Sequence, residues 1–161
     1  YSFANELEAC MYAGAEKIAG KLKGWTAYNN EERGQQAILS VKQDVRLLND
    51  NVVRITVEET LKRIIAKRQL NTADFDYFLP HYSSNYFREK VYQALVNIDF
   101  ELPYEKWFSN LSEKGNTGSA SIFIMLEELF KSQQLQTGQR MLCYIPESGR
   151  FSSAFMQLTV V

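Results

Sequence analysis

Four side chains in this 161-residue sequence have chemistry to offer a substrate: His81, Asn116, Cys10 and Cys143. His81 is the only histidine; it follows Pro80 at the end of a short apolar run and precedes a helix-like stretch. Binding groups in open α/β sheets gather at the carboxyl ends of strands. The same position also suits a loop histidine that bonds only to its neighbours. Asn116 lies in Gly115-Asn116-Thr117-Gly118-Ser119-Ala120-Ser121, a run of small residues that opens another helix-like segment. Two glycines allow positive φ and the close approach of another group. An asparagine there either caps the turn or holds an amide donor at a fixed point. No Gly-Lys-Ser/Thr ending follows, so a phosphate loop is a poor match. Cys10 and Cys143 lie far apart, and with one histidine they do not supply the ligands of an ordinary zinc site. Both are expected to be reduced thiols of a cytoplasmic protein. Cys143 alternates with Met141 and Ile145 along a strand, the pattern of a core thiol. A hydrolase pairing Cys143 with His81 would need that thiol exposed.

The elements that must position these residues follow from periodicity. Residues 1–25, with Gly14, Gly20 and Gly24, read as irregular or partly helical, because glycine weakens a helix. Residues 26–36 read as a polar loop, the least ordered part of the chain, and residues 37–42 as a short strand. Val45, Leu48, Val52, Ile55, Leu61 and Ile65 recur at helical spacing, predicting one long amphipathic helix to about Gln69, interrupted near residues 49–51. Asn71 to Asp74 is a turn, and residues 75–79 are an aromatic strand stopped by Pro80. Phe87, Val91 and Leu95 predict a second helix, and residues 103–110 a helical turn. Residues 112–118 are a polar loop. Ile122, Met125, Leu126, Leu129 and Phe130 mark the clearest helix. Residues 140–145 and 151–160 then read as an antiparallel strand pair around Pro146-Glu147-Ser148-Gly149. The fold class is α/β, a small mixed sheet with packed helices. So few strands mark a part of a larger layered domain, and a chain that starts at Tyr1 is expected to have lost upstream sequence.

Composition sets the outer bounds. Eighteen Lys and Arg against nineteen Asp and Glu leave a net charge of −1, which argues against a general grip on nucleic acid. An apolar fraction of 45% with 23% charged residues is that of a globular chain. No apolar run reaches the roughly 18 residues of a membrane span, and no secretory leader is visible.

Leu79-Pro80-His81, the Asn116 loop, and Thr137-Gly138-Gln139 before a strand stand in an order that resembles the C-terminal half of beta-ketoacyl-acyl carrier protein synthase III, of the thiolase-like condensing enzymes. The likeness runs over residues 45–161; residues 1–44 form a less diagnostic upstream segment. It implies an acyltransferase of fatty-acid or secondary-metabolite synthesis that makes a Claisen-type condensation between thioesters. His81 and Asn116 would supply the oxyanion hole. The nucleophilic cysteine would belong to a missing N-terminal half, so the 161 residues alone would be inactive. No cofactor or metal is implied beyond the acyl-coenzyme A or acyl carrier protein substrates, and relatives act as homodimers. Arg88, shortly after the histidine loop, is the expected docking residue for an acidic carrier protein. Gly149 and Arg150, with Glu147, are expected to border the acyl pocket. Two departures stand out: Tyr82-Ser83-Ser84-Asn85 is one residue longer than the family's Gln-Ala-Asn, and the late glycine-rich loop is reduced to Pro146-Glu147-Ser148-Gly149-Arg150. The other reading is a non-catalytic interaction module that kept the fold.

Overall fold

A computed structural model describes residues 8–161. The upstream third departs most from expectation, and the first seven residues of that stretch lie outside the described part. Met11–Tyr12 (β1) is followed by a hairpin of Ala15–Ile18 (β2) and Lys21–Gly24 (β3), paired antiparallel. Ala19 and Gly20 join the two strands with φ of 48° and 80°. Two positive-φ residues are what a two-residue hairpin turn needs, so a glycine read as a helix breaker is here the turn of a strand pair.

The supposed polar loop contains a helix, Asn30–Gln35 (α1), with a reciprocal cap. The Asn29 side chain accepts from the Glu32 N–H at 2.9 Å, and the Glu32 carboxylate accepts from the Asn29 N–H at 2.9 Å. That arrangement satisfies two helix-end donors at once. The strand expected over residues 37–42 shrinks to Lys42–Gln43 (β4), which pairs with β1.

Asp44 then caps Val45–Val53 (α2), accepting from Leu47 N–H at 2.9 Å. The chain stays helical through a π-helical segment, Arg54–Glu59, into Thr60–Arg68 (α3). The interruption foreseen near residues 49–51 therefore lies further on. Thr56, fully buried, bonds through Oγ1 to the Val52 carbonyl at 2.5 Å. A threonine that bonds back to the i−4 carbonyl competes with the backbone ladder and distorts a helix.

Tyr77–Pro80 (β5) and Arg88–Asn97 (α4) follow the periodicity reading closely. A short helix, Leu111–Lys114 (α5), stands at the start of the polar loop expected over residues 112–118. Ser121–Lys131 (α6), Arg140–Glu147 (β6) and Ser152–Thr159 (β7) again follow that reading, although β6 runs on through Glu147 into the expected turn. The sheet order is β5-β6-β7, with β5 parallel and β7 antiparallel to the central strand. Strand alternation divides the core in two. Phe78, Leu142 and Tyr144 face Val57, Leu61, Val91 and Leu95 of the π segment, α3 and α4. Leu79, Met141 and Cys143 face Ile122, Met125 and Leu129 of α6. The result is the expected small mixed sheet with packed helices, here on both faces, and β6 runs on past the end of β5 to Glu147.

Candidate active site

His81 and Asn116 meet one cleft at the carboxyl end of β5. His81 leaves β5 directly after Pro80, and its backbone N–H bonds to the Tyr144 carbonyl of β6 at 2.9 Å. Its position is thus set by the sheet ladder rather than by a loose loop. Burial alone lowers the His81 pKa from 6.5, because a half-dehydrated imidazolium is penalised. At neutral pH the ring is neutral, with one N–H to donate and one nitrogen to accept.

Asn116 arrives from the other layer, in the loop between α5 and α6. Its Oδ1 accepts from Gly118 N–H at 3.0 Å. Gly118 has φ of 61°, a conformation that a residue with a side chain rarely adopts. The turn therefore uses the carbonyl oxygen of Asn116 and turns no donor inward. Among the described residues no partner takes the Asn116 NH2 group or the His81 ring. The turn-capping reading of Asn116 is the one seen directly: its oxygen caps the turn.

His81 and Asn116 line one cleft of about 680 Å³. It wraps over the carboxyl ends of β5 and β6, from Asn116, Gly118 and Ser119 on the α6 side to Val52, Val53, Val91 and Tyr144 on the side of α2 and α4.

The remaining expected site residues fall around this cleft rather than in it. Arg88 is exposed and lies with its guanidinium carbon 4.2 Å from the Tyr104 ring centroid. It lines a neighbouring, more polar hollow with Asn85, Tyr104, Trp107 and Ser109, and Tyr82 forms part of both walls. Gly149 is buried, with its carbonyl accepting from Cys10 N–H at 3.0 Å, while Arg150 is exposed. The cleft wall at that turn is Ile145, Pro146, Glu147 and Ser148. Glu147 folds back on its own turn, accepting from Gly149 N–H at 2.5 Å and Arg150 N–H at 3.1 Å.

Neither cysteine has the character of a nucleophile. Cys143 is fully buried on the α6 face of the sheet, and desolvation pushes its thiol up to about 12. Cys10 is equally buried, its Sγ–H donates to the Ser148 carbonyl at 2.6 Å, and burial together with Glu147 and Asp44 raises it to about 11. A thiolate is the reactive form, and nothing here favours one. The Cys143–His81 hydrolase is excluded by that burial. Among the described residues no group of three or more His, Cys, Asp or Glu is placed to hold a metal ion, and no helix is long and apolar enough to cross a membrane.

Sequence reasoning missed Met11, Gln43 and the α2 wall. The β1–β4 pairing that brings Met11 and Gln43 to the cleft is two residues long and joins distant segments, so no local pattern announces it.

The helix–sheet–helix arrangement, with a histidine at a strand end and an asparagine loop ahead of the facing helix, is that of a thiolase-like half-domain. The particular family follows from comparison. The model for "3-Oxoacyl-[acyl-carrier-protein (ACP)] synthase III C terminal" matches residues 65–145, half of the chain, and the chain belongs to that family. A beta-ketoacyl-acyl carrier protein synthase III of Oenococcus oeni is 30% identical over 121 residues, covering 75% of this chain and 35% of the relative. A tetronic acid condensing enzyme superposes with a TM-score of 0.69 at 18% identity, over 99% of this chain and 41% of that one. The 3-oxoacyl-acyl carrier protein synthase III of Aquifex aeolicus VF5 gives 0.65 at 21% identity, over 98% and 42%. The chain thus spans about a third of the length of the curated relatives it matches.

Proposed function

We propose that this chain is the C-terminal domain of a synthase III-like acyltransferase, in which His81 and Asn116 form the oxyanion hole of a decarboxylative Claisen condensation. The observation that carries the proposal is the pair of unclaimed N–H donors lining one cleft. A malonyl thioester loses its carboxylate as CO2, and the electron pair of the broken C–C bond moves onto the thioester oxygen as an enolate. The His81 ring N–H and the Asn116 amide N–H would hold that oxygen. The enolate carbon then attacks an acyl-cysteine carbonyl, forms the new C–C bond and expels the cysteine as thiolate.

A neutral histidine suits this role, since it donates a hydrogen bond without bringing a proton for the enolate to take. The acylated cysteine would come from polypeptide beyond these 161 residues, because Cys10 and Cys143 are both buried and held protonated. On this reading the chain by itself condenses nothing, needs no metal or cofactor, and takes its substrates as acyl carrier protein or coenzyme A thioesters. Arg88 presents a cation beside the cleft to an acidic carrier protein. Homodimerisation in the cytoplasm, as expected from the resemblance, belongs to the same proposal.

The test is malonyl-thioester decarboxylation by the polypeptide that joins this chain to its nucleophile. His81→Ala and Asn116→Ala should each lower the rate by about 10²–10³-fold, the usual effect of deleting one oxyanion donor, with little change in thermal stability. If His81→Ala leaves the rate intact and lowers stability instead, the non-catalytic module is the correct reading.

A further inference from the structure

We propose that Tyr82 holds the carrier arm of the malonyl thioester where it enters the cleft, through a hydrogen bond from its hydroxyl. The proposal rests on the acyl-thioester reading above and adds to it a binding residue that the reading does not use. Two hollows lie side by side: the cleft that His81 and Asn116 line, and the polar one of about 530 Å³ that Arg88 lines. Among the described residues, Tyr82 alone lines both.

Carrier protein and coenzyme A present a thioester on the same pantetheine arm, a flexible chain with two amide groups. With the thioester oxygen at His81 and Asn116 and the carrier at Arg88, the arm runs from one hollow into the other and passes Tyr82. Tyr82 follows His81 directly in the chain, which fixes the contact close to the reacting thioester. The outer hollow keeps its cation open. Arg88 rests on the Tyr104 ring and makes no ion pair among the described residues. The neighbouring Glu89 carboxylate instead accepts from the Tyr104 hydroxyl at 2.8 Å and the Gln93 amide at 3.2 Å.

Tyr82 has a hydrogen bond to give. Tyr28, Tyr82 and Tyr144 are the buried tyrosines among the described residues. Tyr28 donates its hydroxyl proton to Glu16 at 2.6 Å, and the Tyr144 hydroxyl lies 2.5 Å from Thr56 Oγ1. Tyr82 is only 5% exposed, yet among the described residues no partner takes its hydroxyl. Nor is that oxygen sealed in the core, so it opens onto a hollow that the residue lines. A buried phenol ordinarily finds a partner, because an unmade hydrogen bond leaves the dehydrated group uncompensated. An amide carbonyl of the arm supplies the missing acceptor. The ring meanwhile packs with Leu48, Val52, Ile55 and Phe87. That packing holds the donor in place before the ligand arrives and so reduces the entropy lost on binding.

The experiment compares two substrates of decarboxylation by the polypeptide that joins this chain to its nucleophile. Malonyl-pantetheine carries the arm, and the S-methyl thioester of malonic acid lacks it. The quantity read is the preference, the ratio of kcat/KM for the first over the second. Tyr82→Phe removes the hydroxyl and keeps the ring. It should lower the preference about 2- to 12-fold, the usual worth of one hydrogen bond. The loss should fall on KM for malonyl-pantetheine, since the contact is the same in the ground and transition states. A purely structural role would lower the melting temperature and impair both substrates equally, leaving the preference unmoved. An unmoved preference therefore overturns the role of Tyr82, while a rate lost in His81→Ala leaves the oxyanion reading standing. Absence of decarboxylation in the unaltered polypeptide, or a rate untouched by His81→Ala, overturns both.

Discussion

His81 illustrates how one residue is prepared by its surroundings. The parallel strand pair fixes its backbone against Tyr144, and partial burial keeps the ring uncharged. The direction of the shift makes a prediction. The folded pKa lies below the unfolded value near 6.5, so the unfolded state takes up a proton first as the solution is acidified. The contribution of His81 to stability is complete above pH 6.5 and declines as the pH falls toward the folded pKa. Because there is one histidine, its C2 proton resonance reports the midpoint directly. That midpoint should fall below 6.5, and the decarboxylation rate should fall with protonation of the same group. A midpoint at or above 6.5 contradicts the downward shift, and one above 7 contradicts the neutrality at pH 7 as well. His81 and Asn116 were readable in the sequence because their signals are local: a proline-stopped strand before one, a small-residue loop with two glycines around the other. Tyr144 was not. Nothing in the word order Cys-Tyr-Ile says that a threonine 88 positions upstream will meet its hydroxyl.

At the scale of elements, periodicity predicted the downstream helices and strands well because each buries one face. α6 shows the logic and one correction to it, since Phe130, counted with the apolar stripe, faces solvent. Leu129 is fully buried against the sheet, while the adjacent Phe130 is 72% exposed. Leu129→Ala should cost about 2–5 kcal/mol through lost burial and the cavity left behind. Phe130→Ala should change stability by under about 0.5 kcal/mol, as at other surface positions. Chemical denaturation of the two variants checks the contrast, and equal effects would place the helix on the wrong face. The upstream elements were misread for reasons that are physical rather than statistical. Gly20 was counted as a cost to a helix, when its positive φ is the asset of a hairpin. Residues 26–36 were judged by their polarity, although Asn29 and Glu32 stand at the spacing of a reciprocal cap. The interruption in the long helix was placed at its asparagines. It lies instead at residues 54–59, around a buried threonine that bonds both to the Val52 carbonyl one turn back and to the Tyr144 hydroxyl on β6, and the second of these contacts is information no local window contains.

The whole molecule shows a division of labour along the chain. Residues 65–145, which match the family model, carry His81, Arg88, Asn116 and Tyr144. The segment before them supplies walls and braces. Cys10 bonds both to Gly149 and to Asp44 through its backbone, fastening the start of the described chain to the turn between β6 and β7. The cleft draws on residues near 11, 43–53, 81–91, 116–119 and 144–148, so no contiguous piece of the sequence contains it. Occupancy and folding are consequently two readings of one equilibrium. A ligand that fits the assembled cleft has nothing comparable to bind in the unfolded chain, and at a hundred times its Kd it adds about 2.7 kcal/mol to stability. On the acyl-thioester reading proposed above, butyryl-coenzyme A should raise the melting temperature in proportion to the logarithm of its concentration, and an unmoved melting temperature would count against that reading. Any ligand of the cleft therefore acts at once on segments from Met11 to Ser148, and its withdrawal would register first as a shorter lifetime of the folded protein.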